Sequence, residues 1–370
     1  MITCDVHVHS TGSNRIIPAN SATKKYNIQE SYVNAEHQYQ LTKSRGRELV
    51  TLSDHNSISE AKKLVELHPE DCFMSCEYEV KGEPGGQDPE ILVLGLTEEF
   101  HEELMHVRKY GIKDFIGLVK QEKRPHALAH PGYPVNPKGP RLTVKEIEYW
   151  TDLCDVIEGI NGDGMRENEL AQIVAKQKGK PMSGGSDDHA GLFTGLTYTV
   201  APDADYKEEF LQHFREGKIY PEGESGSMQK SYQVMLTIGK QFIASERNRR
   251  SEVGYINYFR KNPLRFVELM FIPYILPLFL NVSSRKYRNS LEKRTLALED
   301  KYFEHLKTNY KLELKEKVRG LKKKQDEELA DLLSMVKDKS DYITKHTFFE
   351  RVINWVLKNN RSVQNDFDSV

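Results

Sequence analysis

From residue 1 to about residue 220, short apolar runs alternate with stretches of helical periodicity, and the loops between them are short. Such an alternation has few folded solutions, because each strand is apolar on both faces and needs helices to cover it. It predicts a parallel, helix-covered sheet or barrel of about seven β/α units. Ile2–Val8 reads as a strand that begins almost at the first residue, and Ala35–Arg45 as a helix behind the N-cap Asn34, ended by Gly46. Glu48–Leu52 reads as a strand and Ser59–Leu67 as a helix capped by Ser59. Cys72–Ser75 and Ile91–Leu96 are apolar runs of strand length. Glu98–Lys109 and Lys113–Glu122 read as helices, Ala127–Ala129 as a strand and Val144–Leu153 as a helix. Asp155–Ile160, Arg166–Lys178 and Pro181–Ser183 continue the pattern as strand, helix and strand.

The pattern ends near Pro221. Gly223–Ser227 has the composition of a linker, and the chain beyond it reads as helical. The expected division is therefore an α/β domain over 1–222 and a helical extension over 228–370. Phe266–Leu280 is apolar apart from Glu268, is interrupted by Pro273 and Pro277, and is flanked by basic residues. It is too short for the ~20 residues that cross a bilayer. It suits either a Pro-kinked helix packed on the first domain or a segment lying on a membrane surface. From Arg285 to Ser340, sixteen basic residues face eleven acidic ones, and Phe303, Leu306, Tyr310, Leu314, Val318 and Leu321 recur at helical spacing. This reads as a long amphipathic helix, a helical hairpin or a coiled coil. A protein partner or a second copy of the chain would bind there.

Charge narrows the range of partners. The chain of 370 residues has 53 Lys and Arg against 55 Asp and Glu, a formal net charge of −2. This excludes a uniformly basic nucleic-acid-binding surface. Cys4, Cys72, Cys76 and Cys154 form no CxxC pair, which suits free thiols in a reducing, cytoplasmic setting. The first residues have neither the basic nor the apolar region of a signal peptide.

Six of the predicted strand ends carry residues that bind metals. Asp5, His7 and His9 alternate along the first strand, so a side-chain period of two points them to one face. Ser53-Asp54-His55-Asn56 follows the second strand and Glu77 the third. His130 follows the short strand Ala127–Ala129, Glu158 and Asn161 close the next, and Asp187 and His189 follow Pro181–Ser183. Strand C-termini are where open α/β sheets and barrels place their sites. Histidines and carboxylates without cysteine indicate a hydrolytic metal cluster rather than a structural zinc site.

The ordered set Asp5-Val6-His7-Val8-His9-Ser10, Ser53-Asp54-His55-Asn56, Glu77, Ala129-His130-Pro131, Glu158-Gly159-Ile160-Asn161 and Gly185-Ser186-Asp187-Asp188-His189 resembles that of the PHP (polymerase and histidinol phosphatase) superfamily of metal-dependent phosphoesterases, over roughly residues 1–220. The resemblance implies a distorted (β/α)7 TIM-like barrel with two or three divalent ions (Mn, Zn or Fe) at the strand ends. It assigns His7, His9, Glu77 and Asp187 to a first ion. Glu77 is shared with a second ion, with His130 and with Glu90 where the family has a histidine. His55 and His189 fall to a third ion, with Asn14 where the family supplies an acidic or histidine ligand. His37 or a water would then complete that site.

Two ions sharing Glu77 would hold a bridging hydroxide that attacks phosphorus, so the expected activity is hydrolysis of a phosphate ester of a small molecule or nucleotide. Asp187, His189 and His126 form the expected catalytic set, with His189 or His126 protonating the leaving alkoxide or a third ion holding its oxygen, and with a buried hydrogen-bonded or ligand-orienting role as the alternative for His126. Arg166, Arg15, Arg141 and Lys138, near the strand ends, are candidates for binding phosphate. Asn161 and Asp188 fit roles orienting the ligands. Two other readings compete. One is an amidohydrolase-like metal hydrolase, although no lysine sits at a predicted strand end. The other is a binding or scaffold protein whose metal site has partly decayed. A nuclease ranks below small-molecule hydrolysis, because the excess positive charge is confined to the tail.

Overall fold

The computed structural model describes residues 1–13, 28–133 and 142–253, together with scattered positions between 293 and 305. The chain divides into two compact units, Met1–Leu296 and Ala297–Val370. The expected membrane-surface segment and coiled coil lie outside the described residues, among which no helix is long and apolar enough to cross a membrane.

The first unit is an α/β fold with two sheets. One has the strand order β2-β1-β8-β9, where β1 is Ile2–Asp5, β2 Leu49–Val50, β8 Thr197–Ala201 and β9 Tyr220–Gly223. The other runs β3-β4-β5-β6-β7, with β3 Ser75–Glu79, β4 Glu90–Leu94, β5 His126–Leu128, β6 Val156–Asn161 and β7 Met182–Gly185. Parallel bridges join the two sheets. Val50 pairs with Cys72 and His55 with Glu77 on one side, and Val8 pairs with Asp188 on the other. β1 therefore changes neighbours along its path: its first residues pair with β8, and the chain beyond it pairs with the segment after β7.

The strands are not all parallel, which corrects the expectation of a wholly parallel sheet. β4 runs antiparallel to both β3 and β5. The connection from Glu79 to Glu90 contains no helix, and a parallel return needs a longer crossover. Val80 N–H donating to the Pro89 carbonyl at 2.9 Å and Gly82 N–H donating to Asp88 Oδ1 at 2.8 Å fold that connection back on itself. β4 nevertheless reads as an unbroken apolar run because both its faces are buried. Ile91 and Val93 pack with Tyr78, Leu104, Phe115 and Trp150, while Leu92 and Leu94 pack with Cys4, Val6, Phe210 and Phe214.

The helices are α1 Ala35–Ser44, α2 Ser59–Leu67, α3 Glu98–Val107, α4 Ile112–Gln121, α5 Val144–Leu153, α6 Arg166–Lys178, α7 Lys207–Glu216 and α8 Met228–Val253. Asn34 caps α1 as expected, accepting from His37 N–H at 2.8 Å. A reciprocal box between Thr143 and Glu146 starts α5, and Gly179 ends α6 in the left-handed conformation. Ser59 does not cap α2: Ile58 occupies the cap position and makes no side-chain bond. The sequence reading identified no helix at Lys207–Glu216, and part of its linker, through Gly223, is strand β9.

Candidate metal centre

The fold gathers the candidate donors at one rim. His7 and His9 follow β1, His55 follows β2, His130 follows β5, Glu158 and Asn161 lie in β6, and Asp187 and His189 follow β7. Glu77 lies inside β3 rather than after it, because the strand begins at Ser75. Glu90 is the first residue of β4, and the reversed direction of that strand brings its start to the rim where the parallel strands end. Gly185 allows β7 to approach β1: a Cβ there would collide with the Cβ and backbone of His7. Three non-glycine rim residues, Asn56, His130 and Asp187, adopt positive φ of 52°, 24° and 51°. Such conformations cost about 1–3 kcal/mol each and persist where surrounding structure enforces them, often at functional sites.

Four overlapping groups of donors could each hold an ion: His7, His9 and Glu77; His7, His130 and Asp187; His55, Glu77 and Glu90; and His9, Glu30, His55 and His189. Glu77 Oε1 lies 3.0 Å from His130 Nε2 and 3.3 Å from His7 Nε2. Its Oε2 lies 3.0 Å from His55 Nδ1 and 3.4 Å from His9 Nε2. Asp187 Oδ1 is 3.1 Å from His9 Nε2 and 3.4 Å from His7 Nε2. Glu30 Oε1 is 3.0 Å from His55 Nε2 and 3.7 Å from His189 Nε2.

The histidines are oriented from behind. His7 Nδ1–H donates to Glu158 Oε1 at 2.9 Å, while Glu158 Oε2 accepts from His130 N–H at 2.9 Å and from the Asn161 amide at 3.0 Å. His9 Nδ1–H donates to Ser13 Oγ at 3.0 Å, whose own proton goes to Asp54 Oδ1 at 2.8 Å. His189 Nδ1–H donates to the Asp187 carbonyl at 3.0 Å. With Nδ1 occupied in this way, each of the three rings in its neutral form presents a lone pair at Nε2, as a metal-ligating histidine requires. Asp188 accepts His9 N–H on its backbone carbonyl at 3.3 Å. Its carboxylate accepts the backbone N–H groups of Ala190, Leu192, Phe193 and Thr194 and so shapes the loop after His189.

Two observations show that these residues fit a cation. His7 Nε2 and His9 Nε2 face each other at 3.1 Å, where two lone pairs repel unless positive charge lies between them. Glu30 Oε1 and Glu77 Oε2 are buried and accept no well-aligned hydrogen bond although imidazole nitrogens lie close by, which is a costly arrangement without a cation. The electrostatics agree. Burial opposes charge on His7, yet Asp187, Glu158 and Glu77 hold its pKa well above the ordinary value. Burial is likewise outweighed at His55 by Glu30 and Glu77, at His130 by Glu77, which raises it to about 9, and at His189 by Glu30, which also raises it to about 9. Burial opposes ionisation of Glu77 and Asp187 as well, but the surrounding imidazoles keep both pKa values well below the usual range. His9 goes the other way: burial and the neighbouring His189 push it down to about 3. The pocket demands compensating positive charge, which protons or divalent ions supply.

Not every expected residue joins the cluster. His126 opens β5, whereas His130 lies past its end, roughly 13 Å away at ~3.3 Å per residue. Its Nδ1–H donates to the Arg124 carbonyl at 3.1 Å, and its Nε2 accepts from Asp155 N–H at 3.3 Å. His126 is therefore corrected from a catalytic residue to a buried structural one. Arg15, Arg141, Lys138 and Asn14 lie outside the described residues, as does the side chain of Arg166, the first residue of α6. His37 is exposed, and none of the donor groups includes it. Glu30 was missed, although it completes the group with His9, His55 and His189. The signal was available, since Glu30 is the first carboxylate after Asp5 in the sequence.

Residues 165–219 match a family model described as PHP-associated. No curated protein matches the chain. Among solved structures, PsfC from Pseudomonas syringae PB-5123 is 13% identical with a TM-score of 0.41, over 68% of this chain and 99% of that one. A two-domain protein from Bacteroides vulgatus ATCC 8482, containing a predicted PHP-like metal-dependent phosphoesterase, is 15% identical with a TM-score of 0.39, over 64% and 69%. The lesion-specific endonuclease PfuEndoQ from Pyrococcus furiosus is 14% identical with a TM-score of 0.40, over 60% and 57%.

Proposed function

We propose that this chain, a PHP-superfamily protein by its ordered motifs and its PHP-associated segment, is a metal-dependent phosphoric ester hydrolase acting on a small phosphorylated molecule or nucleotide. The observation that carries the reading is the Glu77 carboxylate, which belongs to two of the four overlapping donor groups and faces His7, His9, His55 and His130 at 3.0–3.4 Å. In this reading the bridged sheets close as the distorted (β/α)7 barrel, and residues 1–222 carry the chemistry while 228–370 form the helical extension.

His7, His9, Glu77, His130 and Asp187 would hold one pair of ions with Glu90, and His55, His189 and Glu30 a single third ion. Bound divalent ions acidify water and neutralise phosphoryl oxygens. The chain contributes position and access. Glu158 and the Ser13–Asp54 pair fix the rings of His7 and His9, so the donor atoms are in place before the substrate arrives. Asp187 and His189, at 14% and 20% side-chain exposure, are the most open donors, whereas His7, His9 and Glu77 are fully buried. The substrate phosphate would enter on that open side, where His189 would protonate the leaving oxygen from Nε2–H whenever that nitrogen holds no ion. Amidohydrolase-like sites often bridge their ions with a lysine, whereas the residue shared between donor groups here is Glu77, which supports phosphoester over amide chemistry.

The test is phosphate release from monoesters and diesters with added Mn²⁺, with wild type and Asp187→Asn side by side. Activity in the wild type that disappears in the variant is the expected result. Silence on phosphoesters together with hydrolysis of amides or lactones would overturn the reading.

A further inference from the structure

Helix α8 is the first element of the helical extension, and the phosphoesterase reading gives it no part in the chemistry. Its described face nevertheless lies against the two loops that carry Glu30 and His189. Ile238 and Phe242, one helical turn apart, are buried with Ile28 and Ala190, and Val234, Tyr32 and Leu192 pack against them. Ile28 and Tyr32 flank Glu30 by two residues on either side, while Ala190 and Leu192 follow His189 by one and three. Phe242 meets the Tyr32 ring at 6.5 Å between centroids, and the Gln241 amide donates to the Ala190 carbonyl at 3.2 Å.

Each loop also has contacts of its own. The loop from Asp188 to Thr194 is gathered by the Asp188 carboxylate and by Arg45, whose guanidinium donates to the Thr194 carbonyl and, at 2.7 Å, to that of Leu192. In the other loop, Gln29 N–H donates to Tyr32 Oη at 3.0 Å, and Glu30 Oε1 lies 3.0 Å from His55 Nε2. Ile28 is fully buried in the cluster that α8 completes. The helix is itself fixed at its start, where Gly226 N–H donates to the Gly164 carbonyl at 2.7 Å and Asn168 donates to Ser225 Oγ at 3.1 Å. One apolar stripe thus sets the spacing of two donors that lie far apart in sequence.

We propose that α8 positions the group formed by His9, Glu30, His55 and His189, so that the start of the helical extension controls cation affinity there and not at the group built on His7, Glu77 and Asp187. The inference rests on reading the Glu30 group as a cation site. Ile238, Phe242 and Gln241 are positioning residues: they touch the loops that bear the donors, not the donors' polar atoms.

The experiment titrates the full-length protein with Mn²⁺ alone, counting bound ions by calorimetry and by the paramagnetic signal of free Mn²⁺. Glu30→Gln identifies the class of site that depends on Glu30. In Phe242→Ala and Ile238→Ala, the Kd of that class is expected to rise roughly tenfold, the range seen when a ligand's supporting partner is lost. The remaining classes keep their wild-type Kd, and Phe242→Leu restores most of the loss. Gln241→Leu, which deletes one hydrogen bond and leaves the apolar stripe intact, should give a smaller shift in the same class and covers the case in which the alanine variants fail to fold. Unchanged Kd values in folded variants, or equal weakening of every class, would overturn the positioning role. Wild type and Glu30→Gln titrating identically would overturn the Glu30 site itself, which is a separate result.

Discussion

Single side chains decide whether the donors can bind anything. Glu158 belongs to none of the four donor groups, yet it fixes the tautomer of His7 and the backbone of His130 at once. Glu158→Gln is expected to lower metal affinity and kcat by roughly 10–100-fold with little change in far-UV circular dichroism, measured with Mn²⁺ at several concentrations. His126 provides the contrast. Burial lowers its pKa below the ordinary value of about 6.5, so the folded chain binds fewer protons there than the unfolded chain does. Its contribution to stability is therefore present above pH 6.5 and lost as pH falls through the lowered folded-state pKa. In His126→Gln, kcat should match wild type and the fall in Tm on acidification below pH 6.5 should be smaller. A large loss of kcat at unchanged Tm would restore His126 to the catalytic set.

At the scale of elements, strand direction and close approach assemble the rim. The reversed β4 places Glu90 at the rim by its first residue, although in a parallel strand that position would lie at the far end. β7 can lie against His7 only because residue 185 has no side chain. Gly185→Ala should cost about 1–3 kcal/mol in urea unfolding, since backbone and His7 must shift to relieve the overlap. It should also lose Mn²⁺ binding, because His7 belongs to two donor groups. Wild-type stability and binding in this variant would show that the two strands can separate without cost.

At the scale of the whole molecule, metal binding and protonation compete for one pocket. His130 and His189, raised to about 9, hold protons at neutral pH, and a divalent ion must displace them. Calorimetry in buffers of different ionisation enthalpy should therefore show proton release on Mn²⁺ binding, and the apparent affinity should rise with pH between 6 and 9. Chelation should lower Tm, because ions that bind only the folded state stabilise it by mass action. Binding without proton release would contradict the charge state derived from the carboxylates around these imidazoles.

The period of the apolar residues was enough to establish α/β alternation, and helices such as Arg166–Lys178 and Val144–Leu153 have the bounds that the pattern predicts. Helices and apolar strands are local patterns, and local patterns are legible in a sequence. The same holds for strand-end residues such as His7, His9, His55 and Asp187, because their neighbours mark where each strand stops. Tertiary structure decided the rest. The direction of β4 depends on what its connection can span, and β4 has the same apolar run in either direction. Glu30 became a donor, and His126 a structural residue, through contacts with segments distant in sequence. No local pattern encodes which loops a helix such as α8 will press together, because that choice is made by the packing of surfaces that meet only in the folded chain.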